Sequence, residues 1–233
     1  MSSARVIELL ILYTAGPLLL AWAVRRYGYR APIAPLLWLL SLFAVQVLSS
    51  DPSFDSAALW CWPDDHRLVT FVALRFSVLG GALLWLGKRF APQDFLILAR
   101  RKPGLWLLLV VLYPTLSALP QGILWRVLFV HRYGPLFETR SLLVVAGALA
   151  FSLGHVTYRS ARALAITAIG GALFLDTYLR SHSMLLAAAE HGAYGITAFS
   201  AGLGRFLGMG RRWRTGQLAA AAPDVAGPSV DGV

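Results

Sequence analysis

Four polar side chains lie within strongly apolar stretches of this chain and have chemistry suited to a catalytic or binding site. Gln121 and Arg126 belong to the run LPQGILWR at 119–126, and two later apolar stretches carry His155 and His191. Polar and ionisable groups are expensive at bilayer depth, so this pattern predicts one shared intramembrane site. A lone histidine of this kind is more often a hydrogen-bonding strut between helices, but two histidines with an amide and an arginine favour a site. Arg126 has no carboxylate on its own stretch.

The elements that position these residues are predicted to be membrane-spanning helices. The 233 residues are 58% hydrophobic and 14% charged, which is far less charge than a soluble domain of this size carries. A spanning helix needs about 20 mostly apolar residues. Seven stretches come near that length or exceed it: 6–24, 33–49, 69–86, 105–131, 142–157, 163–180 and 183–209. The sequence therefore predicts an all-α fold, a polytopic transmembrane helical bundle of about seven spans.

The net charge of +10 is better explained by membrane topology than by nucleic-acid binding. Lys and Arg cluster after the first, third, fifth and seventh stretches, whereas the segment after the second carries four aspartates. Short basic loops mark the cytoplasmic side during insertion. We therefore expect an integral protein of the bacterial inner membrane, in contact with the lipid bilayer and with no nucleic-acid partner. Its N-terminus is expected outside and its C-terminus in the cytoplasm.

The chain divides into three parts by composition. Residues 1–89 hold the first three stretches and are interpreted as scaffold, because the first two stretches have almost no buried polar chemistry. Residues 90–209 contain every candidate site residue and form the predicted intramembrane core. Residues 210–233 begin basic and become rich in Ala, Pro, Gly and Ser, which predicts a disordered tail.

Four charged residues inside the stretches are expected to pair across helices, because an unpaired charge in hydrocarbon is severely unfavourable. They are Arg75, Arg126, Asp176 and Glu190. Asp176 lies near the end of its stretch, so Glu190 is the predicted partner of Arg126. Glu190 is also a candidate base.

Helix geometry places two glycines beside these groups. Residues four apart share a face of an α-helix, so Gly122 is expected under Arg126 and Gly195 one turn from His191. Gln121 should point about 100° away, toward a neighbouring helix. Neither glycine supplies a functional group, but each permits close approach of a neighbouring helix.

These residues resemble the CPBP family, which includes the type II CAAX prenyl endopeptidases and bacteriocin-processing intramembrane proteases. The family pattern is Glu-Glu-x-x-x-Arg, then Phe-x-x-x-His, then His-x-x-x-Asn or Asp. The run QGILWR at 121–126 falls on the first motif, FSLGH at 151–155 fits the second, and HGAYG at 191–195 covers the third without its last residue. The flanking HRYG at 131–134 and GG at 170–171 add to the match, which covers roughly residues 90–205.

The resemblance implies a helical bundle in which a glutamate activates water for peptide hydrolysis. The histidines and the amide would position that water or stabilise the oxyanion, with or without a metal such as zinc. This chain has Gln121 and Gly122 at the two carboxylate positions and Gly195 at the amide position. A glutamine amide does not accept a proton as a base must, and His155 and His191 are one ligand short of a usual catalytic zinc site.

Function is therefore predicted from the resemblance, with alternatives left open. The leading prediction is an intramembrane endopeptidase acting on the C-terminal region of a membrane-associated or prenylated peptide or protein. Its site residues would be His155, His191, Arg126, Gln121 and Glu190, with Glu190 or a histidine as base and Gln121 as oxyanion donor. The alternatives are a catalytically silent relative that binds such a partner or confers immunity, and, more weakly, a small proton-coupled transporter.

Overall fold

The computed structural model describes residues 3–27 and 33–205, and within these ranges the chain forms nine α-helices and no β-strand. The helices are α1 Ser3–Tyr27, α2 Ile33–Ser49, α3 Ala57–Trp60, α4 His66–Phe90, α5 Ile97–Arg101, α6 Pro103–Leu136, α7 Arg140–Leu153, α8 Ala161–Ser181 and α9 Met184–Ser200. The predicted all-α fold is confirmed. The predicted tail at 210–233 and the basic residues Arg30, Arg211, Arg212 and Arg214 lie outside the described residues.

Several of these helices have the dimensions and the surface of membrane-spanning segments. The four helices α1, α4, α6 and α8 are long and apolar enough to cross a membrane, and α2 and α7 are apolar but shorter. Large apolar side chains face outward: Phe43 is 68% exposed, Val78 70% and Trp85 63%. Outward apolar surface of this extent is expected of a protein surrounded by lipid. The number of spans, seven in the sequence-based prediction, stays a prediction.

Helix α6 forms the centre of the bundle. Its residues Ile123, Val127 and Leu128 are buried in a cluster that also contains side chains from α2, α3, α8 and α9. Its residues Phe129 and Tyr133 are buried in a second cluster with side chains from α1 and α7. The segment that carries Gln121 and Arg126 is therefore enclosed by the other helices.

Two stretches of α6 are wound as π-helix, Pro114–Ala118 and Ile123–Leu128. A π-helix bonds residues five apart, and proline at 114 and 120 cannot donate a backbone hydrogen bond. Carbonyl groups of this distorted helix accept bonds from outside it. The Tyr13 hydroxyl donates to the Leu124 carbonyl at 2.7 Å, and the Ser41 hydroxyl donates to the Pro120 carbonyl at 2.9 Å. Helices α1 and α2 therefore hold α6 at its irregular points.

Helix α1 also carries a polar contact that the sequence analysis missed. Glu8 accepts hydrogen bonds from Arg132 at 2.7 Å and from the Tyr133 hydroxyl at 2.8 Å. The side chain of Glu8 is 33% exposed, so this contact is not buried. The buried Tyr13 hydroxyl on the same helix does contradict the expectation of almost no buried polar chemistry in the first two stretches. Ser41 on α2 makes the same point, since its side chain is fully buried. The N-terminal helices are scaffold in the sense that their polar groups hold the middle and the C-terminal end of α6.

Side-chain caps determine where the later helices begin. Thr139, Ser160 and Ser183 accept hydrogen bonds from backbone N–H groups in the first turns of α7, α8 and α9. Such caps satisfy N–H groups that a helix leaves without partners. Helix α7 ends at Leu153, four residues before the end of the predicted stretch 142–157. His155 therefore lies in the turn after α7. The sequence analysis had predicted it within an apolar helix, and that prediction was wrong.

Glycines allow close contact where helices meet. A Cβ atom added at Gly171 of α8 would lie 3.1 Å from the backbone Cα of Ala148 on α7. At Gly87 near the end of α4, an added Cβ would overlap the backbone carbonyl group of Ala201, directly after α9. Small residues at helix interfaces of membrane proteins permit this approach.

We predict that Gly87→Ala destabilises the protein by about 1–3 kcal/mol, because the new methyl group meets backbone that has to move. Gly81→Ala on the same helix is the matched control, since nothing lies within 4 Å of its added Cβ. The control should leave stability unchanged or raise it by up to about 1 kcal/mol. Equilibrium unfolding of both variants in detergent micelles measures this. Equal effects at the two positions would contradict the close contact between α4 and Ala201.

Candidate intramembrane site

Three of the five predicted site residues line one cavity of about 310 Å³. Gln121 comes from α6, His155 from the turn after α7 and His191 from α9. Most of the wall is apolar. The polar side chains around it are Tyr113, Ser117, Gln121, His155, Tyr158, Thr167, His191 and Tyr194. Arg126 and Glu190, the other two predicted residues, are not among the described residues of its wall.

The amide of Gln121 is buried and only partly satisfied. Its Nε2 donates to the Ser117 hydroxyl at 2.8 Å, and only 7% of the residue is exposed. Its Oε1 has no hydrogen-bond partner among the described residues, and the same holds for Nδ1 of His191. Buried polar groups are almost always paired, with protein or with water. Two unpaired atoms on residues that line one cavity therefore indicate that a polar group belongs in that cavity.

His155 is oriented by the carbonyl group of Phe151, which lies 2.8 Å from its Nδ1. A carbonyl oxygen can only accept, so Nδ1 carries the proton in this contact. In the neutral ring the other nitrogen, Nε2, is then an acceptor. The ring also lies against Phe151, with centroids 4.6 Å apart. His155 is therefore held in the tautomer that a general base requires.

His191 is held by aromatic contacts. Its ring stacks on Phe174 with centroids 4.7 Å apart and 23° between the planes, and it meets Phe151 edge-on at 5.5 Å. Only 5% of the residue is exposed. The two phenylalanines thus connect both histidines into one aromatic layer at the cavity.

Arg126 lies behind that layer. Its guanidinium carbon is 4.6 Å from the ring centre of Phe151 and 5.1 Å from that of Phe174, and the residue is 1% exposed. Its Nη1 and Nη2 have no hydrogen-bond partner among the described residues. Cation–π contact stabilises such a cation, more so when it is desolvated. Arg126 therefore acts on the site through the aromatic rings and through its positive charge.

Glu190 pairs with Arg75 and not with Arg126, so the predicted pair was wrong. Its Oε1 accepts from Arg75 at 2.7 and 3.1 Å, and its Oε2 accepts from the Thr177 hydroxyl at 2.6 Å. Arg75 also reaches Asp176 at 3.4 Å, and Asp176 binds Arg140 at 2.7 Å. The Arg75 cluster, formed by these five residues, joins α4, α7, α8 and α9. Both carboxylate oxygens of Glu190 are engaged there.

The two glycines at the expected functional positions lie where α6 and α9 pack together. A Cβ atom at Gly122 would lie 3.2 Å from the sulfur of Met184, and one at Gly195 would overlap the ring of Tyr113. The prediction that these glycines permit close helix approach agrees with this geometry. The expected stacking of Gly122 under Arg126 rested on α-helical spacing, but the π-helix at Ile123–Leu128 bonds residues five apart.

Sequence reasoning missed two groups of residues around the site. Tyr113 and Ser117 line the cavity with Gln121, and their spacing of four residues along α6 was the available signal. Thr177 gave no such signal, because a threonine within an apolar helix usually bonds its own backbone. Its contact with Glu190 depends on how α8 and α9 lie side by side.

Comparison with known proteins bears on the segment that builds this cavity. The family model described as type II CAAX prenyl endopeptidase Rce1-like matches residues 103–197, from the start of α6 to near the end of α9. Over this region the chain is similar to that family, which supports the CPBP resemblance. No curated protein matches the chain. No solved structure matches it either.

The family match and the apolar helices together indicate an integral membrane protein. The match lies inside the predicted core at 90–209 and contains all five predicted site residues. The division into residues 1–89 and 90–209 stays a prediction. Side chains of α1 and α2, from the first part, pack on α6 of the second.

The cavity has fewer donors than a usual catalytic zinc site. Among the described residues, no three or more His, Cys, Asp or Glu side chains are grouped to hold a metal. Catalytic zinc usually has three protein ligands, and the described wall of this cavity presents two histidines and no Cys, Asp or Glu.

We predict that Arg75→Gln and Glu190→Gln are strongly coupled in a double-mutant cycle, by about 1–3 kcal/mol, because they break one buried ion pair. Arg126→Gln combined with Glu190→Gln is the control cycle and should be additive within about 0.5 kcal/mol. Equilibrium unfolding in micelles supplies both numbers. A larger coupling in the control cycle would reinstate Arg126 as the partner of Glu190.

Proposed function

We propose that this protein is a CAAX-type intramembrane endopeptidase that receives the C-terminal region of a membrane-associated or lipidated protein in its cavity. The observation that carries the proposal is the meeting of Gln121, His155 and His191 on the wall of one cavity. The match to CAAX prenyl endopeptidases supports a peptide substrate, and the apolar wall suits a lipidated one. We further propose the inner-membrane location and the orientation, N-terminus outside, that the basic loops predict.

In the proposed reaction His155 is the general base. Its Nε2 accepts a proton from water, and the water oxygen forms a bond to the carbonyl carbon of the scissile peptide. The negative charge on the carbonyl oxygen is stabilised by donors in the wall, among them the second N–H of Gln121. The C–N bond then breaks as the imidazolium returns the proton to the leaving amine. The products are a carboxylic acid and an amine, and His155 is restored.

Glu190 fits the role of base less well than His155 does. Both of its oxygens are held in the Arg75 cluster, and a carboxylate engaged by a guanidinium group is a weaker proton acceptor. In this proposal Glu190 holds α9 in place, so that His191 faces the cavity. Arg126 contacts the phenylalanine rings that hold the histidines.

A second candidate function is binding without hydrolysis. No aspartate or glutamate is present among the described residues that line the cavity. This observation favours a silent relative that holds a peptide or partner in the membrane. Both candidates use the same cavity and the same class of ligand, and they differ in turnover.

We predict that the reconstituted protein cleaves a farnesylated C-terminal peptide and that His155→Gln lowers kcat by about 10²–10⁴-fold, the usual contribution of a general base. His182→Gln is the matched control, because His182 is an exposed residue directly after α8. Glu190→Gln should keep its kcat per folded molecule while losing stability. Mass spectrometry of the released peptide measures turnover. Peptide binding without any cleavage by wild type would favour the second candidate instead.

We predict for that second outcome that restoring the acid creates activity. Gly122→Glu requires space that Met184 now fills, so it is combined with Met184→Ala. The double variant should cleave where wild type and Met184→Ala alone do not. Cleavage by none of the three, with peptide binding intact, would mean that more than the acid has been lost.

A further inference from the structure

Tyr113 and Gly195 face each other across the contact between α6 and α9. A Cβ atom added at Gly195 would lie 2.5 Å from Cζ and 2.6 Å from the hydroxyl oxygen of Tyr113. Atoms that are not bonded do not approach so closely. A side chain at position 195 and the Tyr113 ring in its present place therefore cannot both be accommodated. The phenol ring of Tyr113 occupies the volume that a side chain at 195 would otherwise take.

The ring of Tyr113 is fixed by residues of α9. It meets His191 edge-on with centroids 6.1 Å apart and meets Phe199 edge-on at 5.3 Å. Tyr113 also lines the cavity, as His191 and Gly195 do. Its hydroxyl therefore belongs to the polar end of the cavity, beside one of the histidines.

Tyr113, Ser117 and Gln121 follow one another at intervals of four residues along α6 and line the same cavity. Gln121 Nε2 donates to the Ser117 oxygen at 2.8 Å, which leaves the Ser117 proton free to donate in turn. A phenol hydroxyl carries one proton, and that of Tyr113 can be donated to a ligand in the cavity. Donors arranged before the ligand arrives stabilise charge on it more than solvent does.

We propose that the Tyr113 hydroxyl is a hydrogen-bond donor to the carbonyl oxygen of the peptide held in this cavity, and that Gly195 is its obligatory partner. This inference rests on the proposed function, because it assumes a peptide ligand. It requires no covalent step and applies whether the peptide is cleaved or only bound. A phenol donates to a carbonyl oxygen or an oxyanion, so the site selects a ligand with such an acceptor at the polar end of an apolar body.

A purely structural role for Tyr113 makes a different prediction. Filling the volume beside Gly195 and contacting His191 need only the ring, which phenylalanine supplies equally well. The hydroxyl matters only if it donates to a ligand. Tyr113→Phe therefore separates the two roles without removing the ring.

The test is the binding of two probes by the full-length protein in micelles, measured by fluorescence anisotropy. One probe is a labelled farnesylated tetrapeptide, and the other replaces one peptide bond with an alkene isostere that lacks the carbonyl oxygen; each peptide bond is replaced in turn. For one of these positions, Tyr113→Phe should weaken binding of the peptide by about threefold to tenfold, the effect of one neutral hydrogen bond, and should leave binding of the isostere unchanged. Tyr178→Phe is the matched control, because Tyr178 is buried on α8 and does not line the cavity.

A second variant keeps the test decisive if Tyr113→Phe folds poorly. Gly195→Ala places a methyl group against the Tyr113 ring and should weaken binding of the peptide more than binding of the isostere. Equal peptide affinity of wild type and a folded Tyr113→Phe would overturn this inference and leave the proposed function standing. Failure of wild type to bind the farnesylated peptide at all would overturn the proposed function and, with it, this inference.

Discussion

The close packing of α6 against α9 is the constraint on which the rest of the site depends. Three glycines lie in this contact: Gly122 beside Met184, Gly192 beside Pro114 and Gly195 beside Tyr113. Two of them stand where the related proteases carry a carboxylate and an amide or acid. At both positions the absence of a side chain goes together with a neighbouring side chain, Met184 or Tyr113, that packs against the glycine. Met184 and Tyr113 occupy volumes that those side chains would need, so the core is packed for this chain's own residues.

The charges of the bundle follow a second rule, that groups in hydrocarbon are satisfied within the protein. The Arg75 cluster meets it with ion pairs and hydroxyl groups that join four helices. The guanidinium group of Arg126 lies close to two phenylalanine rings and is not paired with a carboxylate among the described residues. With glycine at position 122, Arg126 lies against aromatic faces, and its Nη1 and Nη2 have no hydrogen-bond partner among the described residues.

The sequence was sufficient to predict the fold class and three of the residues at the cavity, Gln121, His155 and His191, because polar side chains in apolar stretches are expected to lie together inside the bundle. It was not sufficient to predict which of the charged residues form ion pairs. Arg75 and Arg126 both lie in apolar helices, and only the placement of α4 beside α9 decides that Glu190 faces Arg75. The sequence also did not predict the π-helical segments of α6. Pro114 and Pro120 indicate that the helix is distorted there, but not that it is wound as a π-helix. The contacts of Glu8 could not be predicted from the sequence, because its partners Arg132 and Tyr133 lie 124 and 125 residues away in the chain.

The polar end of the cavity has the composition of a donor site without an acid. Amide, hydroxyl and imidazole groups can hold a carbonyl group and stabilise charge on its oxygen, whereas abstraction of a proton from water falls to the histidines alone. Of these, His155 has its Nδ1 committed to a backbone carbonyl group, which leaves one nitrogen for chemistry. A neutral imidazole is a weaker electrostatic anchor for a metal or a hydronium ion than a carboxylate is, but it is an adequate base near neutral pH. The described wall therefore offers several donors for a bound carbonyl group and only the two histidines as bases.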